Sequence, residues 1–304
     1  MPSKSLNNHK RQGVQPIIDI DTSWLVVGHV DELFMWVATN RVIYACPWRA
    51  ADCLHEEISV GLGTNKIWCG WTTNDTNNTV ANVAIDNNRI TRLLTDMNYG
   101  TTVIQCGQTI FKSNDYLRVN DEILRVASTN ANGSYTVERN KGRDRLTGHG
   151  SNSVIYAISP LLRKNLIDAD NVASRIAAAR EQLRQGMNLN PNSNWFVPVP
   201  VLFNDGVILD EIVYPQGVFA ATTSNLANCL VVSNSLVYYP DPGSQTFRGY
   251  FQAVVPGATP VNVWEHYHCK GGEIHCGTAA VRSIPANPSW WEHNLIKNEW
   301  RDEK

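Results

Sequence analysis

The sequence predicts an α/β protein that carries a small all-β insertion. Strand-like apolar runs alternate with helix-like periodic segments over residues 12–97 and 159–304, whereas residues 98–158 contain only short β-rich runs between turn residues. The composition, 43% hydrophobic and 18% charged residues, is typical of a folded globular chain. We therefore predict a discontinuous α/β domain over 12–97 and 159–304, interrupted by an inserted all-β module at 98–158.

The first α/β part begins with apolar, β-rich runs and ends with a periodic segment. The runs that predict strands are Val14 to Ile20, Trp24 to Val30 and Leu33 to Tyr44. Apolar residues recur at helical spacing further on, at Ile85, Ile90, Leu93, Leu94 and Met97. This spacing predicts a helix near Val83–Met97.

The inserted module is a series of short β-runs separated by Asn-, Gly- and Asp-rich turns. The runs are Thr101 to Ile104, Thr109 to Phe111, Tyr116 to Val119, Glu122 to Ala127, Ser134 to Val137 and Ser153 to Ile158. The stretch DYLRVNDEILRVASTNANGSYTVERN resembles small β modules of bacteriophage structural proteins. The resemblance implies a surface binding or assembly module.

The second α/β part begins with a predicted helix over residues 160–186. Asp168 or Asp170 is a candidate N-cap, and Gly186 suits its C-terminal end. One apolar face comprises Val172, Ile176, Ala179 and Leu183. The segments after this helix are predicted as strands Phe196 to Leu202, Val207 to Val213, Cys229 to Val232 and Leu236 to Tyr239, a short helix Phe247–Ala253, and a strand Val261 to His268.

Charge and cysteine usage limit the function classes. The formal net charge of −2 offers no electrostatic footprint for nucleic acid or for a membrane surface. No apolar run approaches the roughly 20 residues that span a bilayer, and no signal peptide is visible. Seven cysteines without framework spacing favour a reducing compartment. We therefore predict a cytoplasmic protein that binds neither nucleic acid nor membrane, with association with a virion as a further possibility.

Two distant segments carry residues suited to covalent catalysis by a thiol. Cys276 lies between a histidine and a glycine, after a Gly-Gly pair, and is the candidate nucleophile. His29 and Asp31 are two residues apart, so on an extended strand they share one face, where a histidine beside a carboxylate suits proton transfer. His275, next to the cysteine, is expected to face away. The alternatives are a buried structural cysteine and a satisfied His–Asp pair at a strand end.

A metal site is a competing interpretation of the C-terminal segment. Five candidate zinc ligands lie close together in the sequence: His266, His268, Cys269, His275 and Cys276. His266 and His268 share a strand face, as two zinc ligands could. No repeated C-x-x-C or H-E-x-x-H spacing is present. The catalytic and zinc interpretations both stay open at this point.

Several stretches resemble, in order, the catalytic domain of the peptidylarginine deiminases. They are SWLVVGHVDE at 23–32, AAAREQLRQGMNLN at 177–190, VPVPVLF at 197–203, NLANCLVVSNSLVYYPDP at 225–242 and HYHCKGGEIHCGTAAVRSIP at 266–285, followed by Trp290 and Trp291. The resemblance implies a pentein-type α/β-propeller, here a partial one. It also implies hydrolysis of an arginine guanidinium, in a peptide or a small guanidino compound, to citrulline and ammonia.

The resemblance also implies roles for individual residues. Cys276 would be the nucleophile, His29 the proton donor to the leaving ammonia, and Asp31 a guanidinium-binding carboxylate. Lys270 stands where the family often has a substrate-contacting arginine, and Asn228 is a further candidate substrate-binding residue.

The resemblance does not extend to the first part of the family's catalytic domain. That part carries a second guanidinium-binding carboxylate and the main calcium ligands, and neither has a counterpart before residue 23. We therefore expect no required cofactor, with calcium implied by the resemblance alone. An incomplete propeller would leave open strand edges, so we predict a homo-oligomer or a partner chain that completes the fold. The alternative function is an inactive deiminase-like structural or binding protein, such as a virion or assembly component.

Overall fold

The protein is described here from a computed structural model that covers residues 17–141, 146–209 and 212–279. The helices are α1 (Pro47–Ser59), α2 (Val80–Ala84), α3 (Pro160–Leu166), α4 (Val172–Gly186) and α5 (Gln245–Val254). The strands are β1 (Phe34–Ala38), β2 (Arg41–Cys46), β3 (Ile85–Arg92), β4 (Val103–Ile104), β5 (Tyr116–Val119), β6 (Glu122–Thr129), β7 (Tyr135–Glu138), β8 (Val154–Ile158), β9 (Phe196–Pro200), β10 (Phe203–Asp205), β11 (Ile208–Leu209), β12 (Ile212–Val213), β13 (Phe219–Ala221), β14 (Leu230–Ser233), β15 (Leu236–Pro240) and β16 (Thr259–Val261). The predicted mixed α/β class is confirmed.

The sheets are small and open. Their strand orders are β1-β2-β9, β10-β13, β11-β12, β14-β15-β16 and β3-β8-β5-β6-β7-β4. Within residues 17–141, 146–209 and 212–279, no sheet closes into a barrel and the sheets form no closed propeller. In the same residues, no helix has the length and apolar character needed to cross a membrane.

The β1-β2-β9 sheet forms the centre of the main core. Strands β1 and β2 are an antiparallel hairpin, and β9 lies parallel to β2. Helix α1 follows β2 directly and begins with Pro47, which suits a first helical turn because the proline has no N–H to leave unpaired. It buries Ala50, Leu54 and Ile58 against the core. The sequence patterns did not predict this helix.

The six-stranded sheet contains most of the runs predicted for the inserted module. Strand β8 is buried along its whole length, and its side chains alternate between two cores. Val154, Tyr156 and Ile158 join the main core, whereas Ile155 and Ala157 join a separate cluster on the other face. The sheet therefore packs one face on the rest of the protein. The domain boundaries at 97/98 and 158/159 stay a prediction, although β3 already belongs to this sheet.

The helix predicted near Val83–Met97 is wrong. The short helix α2 ends at Ala84, and the chain continues as β3, which pairs antiparallel with β8. Asn87 and Asn88 have positive φ angles of 49° and 55°, a conformation that interrupts a right-handed helix. The apolar residues on either side of Asn87 and Asn88 have helical spacing, but the pairing with β8 gives the segment an extended structure.

The helix predicted over residues 160–186 is two helices. Its apolar face is confirmed, since all four of the predicted residues are buried in α4. The cap is neither of the two aspartates: the Asn171 side chain accepts a hydrogen bond from the Ser174 backbone N–H at 2.9 Å. A loop between Ile167 and Asn171 separates α3 from α4.

Downstream, α5 confirms the predicted short helix, but the predicted strand Val261 to His268 is mostly wrong. Strand β16 ends at Val261, and the chain then folds into consecutive turns. A 3-10 helical turn at His268–Lys270 ends at Gly271, whose φ of +82° favours glycine. These turns position the cysteine segment. Residues 14–16 of the predicted strand Val14 to Ile20, together with residues 280–285, Trp290 and Trp291 of the resemblance, lie outside the described residues. Residues 17–20 and the predicted strand Trp24 to Val30 do not form strands, because the chain turns there and only Leu25 pairs, with Phe219.

Candidate active site

Three segments that are far apart in sequence meet at the cysteine. The first is a 3-10 helical turn at Val30–Glu32, just before β1. The second is the loop before β14, which contains Asn225 and Asn228. The third is the turn that contains Cys276, after the Gly271 bend. Side-chain hydrogen bonds connect all three, so the two motifs singled out in the sequence do meet in space.

Asn228 is the central residue of the cluster and is buried. Its Nδ2 donates to Asp31 Oδ2 at 3.1 Å and to Cys276 Sγ at 3.2 Å. Its Oδ1 accepts from the backbone N–H of His275 at 3.1 Å. One amide thus holds the thiol and the carboxylate at a fixed separation, because both of its ends are engaged. These contacts are with protein groups, and substrate binding by Asn228 stays a prediction.

Asp31 lies between the thiol and a histidine. Its Oδ2 is 2.7 Å from His275 Nδ1 and 3.9 Å from Cys276 Sγ. The expectation that His275 faces away from the site is wrong. That expectation assumed an extended strand, whereas the chain turns here: the Gly277 N–H donates to the Glu273 carbonyl and the Thr278 N–H to the His275 carbonyl. In a turn, consecutive side chains no longer alternate between faces.

His29 and Lys270 are not held in this cluster. His29 precedes the 3-10 helical turn that contains Asp31, so the two side chains do not share a strand face. Its backbone N–H donates to Glu32 Oε1 at 3.0 Å, and its side chain is exposed. Across the described ranges, no hydrogen bond joins the His29 ring to Cys276 or Asp31. Lys270 is exposed on its own turn. Their roles stay predictions.

The Cys276 thiol is in an acidic environment. Partial burial of the sulfur raises its pKa, and the charges of Asp31 and Glu32 raise it further. Hydrogen bonds from the Glu273 backbone and from Asn228 act in the opposite direction, but the net shift is upward. Cys276 is therefore a protonated thiol near neutral pH in the absence of a positive charge beside it.

A narrow cavity opens beside Cys276 and has room for roughly one water molecule. Glu32, Glu273, Asn225 and His268 contribute polar groups to its wall. Within the described residues, no lysine or arginine lines it. Burial raises the pKa of Glu32 to about 7, in spite of the hydrogen bond from the His29 backbone. The cavity therefore has an acidic wall with no counter-cation of its own.

A second groove includes His275 in its lining. It has a volume of about 360 Å³, and its lining includes Met35 and Trp36 of β1, Leu230 of β14, His275 and Thr278. Trp36 is exposed. Because β1 and β14 are edge strands of their sheets, the groove runs between two sheet edges.

The structure adds four features to the site that the sequence motifs did not predict. They are the side chains of Glu32, Glu273 and His268, and the contact of His275 with Asp31. Glu32 directly follows Asp31, and Glu273 and His268 flank the Gly-Gly pair. The only sequence feature that could have indicated them is that these acidic and imidazole groups lie within or next to the two motifs. Their arrangement depends on turns that have no hydrophobic periodicity.

The candidate zinc ligands do not form a metal site here. Within the described residues, no group of three or more His, Cys, Asp or Glu side chains is arranged to hold a metal ion. The ring of His268 is engaged at both nitrogens, by Glu273 Oε1 at 2.6 Å and by the Gly70 carbonyl at 2.9 Å.

The sequence matches no protein-family model and no curated protein. The resemblance drawn from the motifs stays a prediction.

Proposed function

We propose that the protein is a thiol hydrolase that converts a guanidinium group, in a peptidyl arginine or a small guanidino compound, to a ureido group and ammonia. The observation that supports this most is the contact network in which Asn228 holds the Cys276 thiol 3.9 Å from the Asp31 carboxylate. A carboxylate placed beside a nucleophile is useful when the electrophile is a cation, since it binds the cation next to the sulfur.

The acidic surroundings of Cys276 support a cationic substrate. Without one, partial burial raises the thiol pKa, the neighbouring carboxylates raise it further, and the thiol stays protonated. A guanidinium about 4 Å from the sulfur would favour the thiolate by about 1 kcal/mol in water and by about 4 kcal/mol at an effective dielectric constant of about 20, and it would exclude water as it binds, which moves the interaction towards the higher value. The substrate itself would thus generate the nucleophile, and neutral compounds would not.

The proposed reaction has two steps. The Cys276 thiolate attacks the guanidinium carbon and forms a C–S bond, and the C–N bond to one terminal nitrogen breaks as that nitrogen leaves with a proton as ammonia. Water then adds to the same carbon, and the C–S bond breaks to release the ureido product and the thiol. One guanidinium and one water give one ureido group and one ammonium ion.

Proton transfers are assigned to the two histidines near Asp31. His275 contacts Asp31, and Asp31 Oδ2 is 3.9 Å from the thiol; these contacts support assigning the thiol proton to the Asp31–His275 pair. His29 remains the predicted donor to the leaving ammonia. Each transfer would contribute roughly 10²–10⁴-fold to the rate.

The substrate arm has a place in the groove beside His275. An aliphatic chain or an extended peptide would contact Met35, Trp36 and Leu230 there. We propose further that the small sheets are modules of a partial pentein-type propeller, completed by a second copy or a partner chain that pairs with the open strand edges. Light scattering would show a defined oligomer, and a stable monomer that is active without a partner would contradict this part.

The experiment is a direct assay of citrulline and ammonia released from arginine amide and from an arginine-containing peptide. Activity is expected in the wild type and absent from Cys276→Ala. The matched control is Cys269→Ala, which removes a nearby thiol that does not line the cavity. If Cys276→Ala retains the activity, Cys276 is not the nucleophile and the proposed mechanism is wrong. If the wild type has no activity, alone or with a partner, the alternative of a structural or binding protein is favoured.

A further inference from the structure

We propose that a cavity between α1, α3 and α4 binds a small phosphate monoester, recognised through the cations Arg180 and Lys141. The cavity is separate from the cysteine cluster, because none of its lining residues belongs to the candidate active site. Such binding would therefore not depend on the proposed function.

The cavity has the size of a small-molecule site. Its volume is about 430 Å³, within the roughly 300–1,000 Å³ of ligand pockets. The end of β2 and the start of α1 contribute to its lining, as do the end of α3 and the side of α4 that carries Ala177 and Arg180. Asn140 and Lys141, which follow β7, complete the lining. The cavity thus lies where the six-stranded sheet meets the helices of the main core, and ligand sites are common at such junctions.

The charged lining of this cavity is positive. Arg180 and Lys141 line it, and among the described residues no aspartate or glutamate does. The cavity beside Cys276 is the reverse, since its charged wall is acidic. The chain as a whole has a net charge of −2, so the positive lining is a local feature and does not reflect the overall composition. A lining of this kind favours an anionic ligand.

Arg180 is positioned by a tyrosine and is not neutralised by a carboxylate. Its Nη1 donates to Tyr44 Oη at 2.9 Å, and its guanidinium carbon lies 5.1 Å from the centroid of the Tyr44 ring. Glu181, the next residue along α4, bonds Arg184 and Gln185. Within the part of the chain that the structure describes, no carboxylate forms an ion pair with Arg180. Its remaining N–H groups suit the bidentate recognition of an oxyanion.

Lys141 has an acidic partner, but the pairing leaves an excess of positive charge. Lys141 Nζ is 2.7 Å from Glu138 Oε2, and Arg125 Nη1 is 3.0 Å from Glu138 Oε1. One carboxylate is thus shared by two cations, so the three groups together carry one positive charge, and Arg180 adds a second. A phosphate monoester carries a charge of about −1.5 to −2 at neutral pH, which matches this excess better than the single charge of a carboxylate.

The rest of the lining suits the apolar body of such a compound. Leu166 and Ile167 contribute aliphatic surface, and Ala173 and Ala177 leave room because their side chains are small. Covering this surface is favourable, since apolar area is removed from water. Inorganic phosphate would leave it uncovered. A monoester with an apolar or aromatic body should therefore bind more tightly than phosphate alone.

The test is a calorimetric titration of the full chain with phenyl phosphate at low ionic strength. Benzyl alcohol is the uncharged analogue, and inorganic phosphate is the headgroup alone. We expect phenyl phosphate to bind more tightly than inorganic phosphate, benzyl alcohol not to bind, and the Kd of phenyl phosphate to rise with added NaCl. Arg180→Gln should raise that Kd at least about tenfold, because the fork and its charge are lost.

The matched control is Arg184→Gln, which should leave the Kd unchanged. Arg184 lies one turn further along α4, is paired with Glu181 and does not line the cavity. Cys276→Ala should also bind phenyl phosphate like the wild type, so the result is independent of whether citrulline is formed.

Binding that weakens in Arg180→Gln and persists in both controls supports the site. No binding of phenyl phosphate to the wild type, an equal Kd for Arg180→Gln, or benzyl alcohol binding as tightly as phenyl phosphate overturns it. If Arg180→Gln does not fold, Ala177→Phe decides, because it fills the cavity from an exposed position and keeps both cations. A raised Kd in that variant supports the site, and an unchanged Kd overturns it.

Discussion

Replacing Asp31 by asparagine should lower the pKa of Cys276. Asp31 Oδ2 lies 3.9 Å from the sulfur, and its negative charge is one of the causes that raise the thiol pKa. Asparagine has nearly the same shape and can still accept from Asn228 Nδ2. The substitution therefore removes a charge while it keeps most of the local structure.

The magnitude follows from that distance. Two unit charges 3.9 Å apart interact by about 1 kcal/mol in water and by about 4 kcal/mol at an effective dielectric constant of about 20. These limits correspond to about 0.8 and about 3 pKa units. Cys276 is exposed and Asp31 also bonds Asn228 and His275, so the lower limit applies more closely. We expect a decrease of about one unit.

The assay is the pH dependence of iodoacetamide alkylation, followed on the Cys276 peptide by mass spectrometry because other thiols also react. Asp168→Asn, an exposed aspartate paired with Arg163, is the control and should leave the pKa unchanged. An unchanged or higher Cys276 pKa in Asp31→Asn would refute the assigned electrostatics, because the carboxylate would then not act on the sulfur.

Three further predictions test the site and the fold. Burial raises the pKa of Glu32 from 4.5 to about 7, so folding favours the protonated form; stability from this group is fully present below about pH 4.5 and is lost as the pH rises to about 7. Denaturant unfolding should therefore show Glu32→Gln gaining up to about 3 kcal/mol relative to wild type across that window, and a constant difference would contradict the burial. Gly243 has a φ of +69°, and a Cβ there would lie 2.4 Å from Trp68 Cδ1, so Gly243→Ala should lower the free energy of unfolding by about 1–3 kcal/mol, whereas Gly249→Ala, in open space, should not. His275→Asn should lower kcat at least about 100-fold if the Asp31–His275 pair takes the thiol proton, and activity equal to wild type would leave that transfer to another group.

Local sequence patterns predicted the helices and strands whose buried faces match the hydrophobic periodicity of their own residues. The apolar face of α4 and most strands of the six-stranded sheet are of this kind. Strand β3 could not be predicted in this way. Asn87 and Asn88 have positive φ angles that interrupt a helix, and the segment becomes a strand because it pairs with β8, more than 60 residues away. Helix α1 was missed although Pro47 marks its first turn.

The sequence motifs identified Cys276 and Asp31, and the structure brings them together through Asn228. The position of His275 could not be predicted, because it depends on a turn after Gly271 rather than on strand alternation. The acidic cavity also needed the structure, since Glu32 and Glu273 come from opposite ends of the chain and meet only in the fold.

The central claim is that Cys276 reacts with a planar cation held by carboxylates, and a pair of labelling rates tests it most directly. Chloroacetamidine is a cationic electrophile shaped like a guanidinium, whereas iodoacetamide is neutral. The proposed function predicts that Asp31→Asn slows labelling of Cys276 by chloroacetamidine, because the carboxylate that binds the cation is lost, and speeds labelling by iodoacetamide, because the thiol pKa falls. Both rates changing in the same direction, or no labelling of wild-type Cys276 by chloroacetamidine, would contradict it.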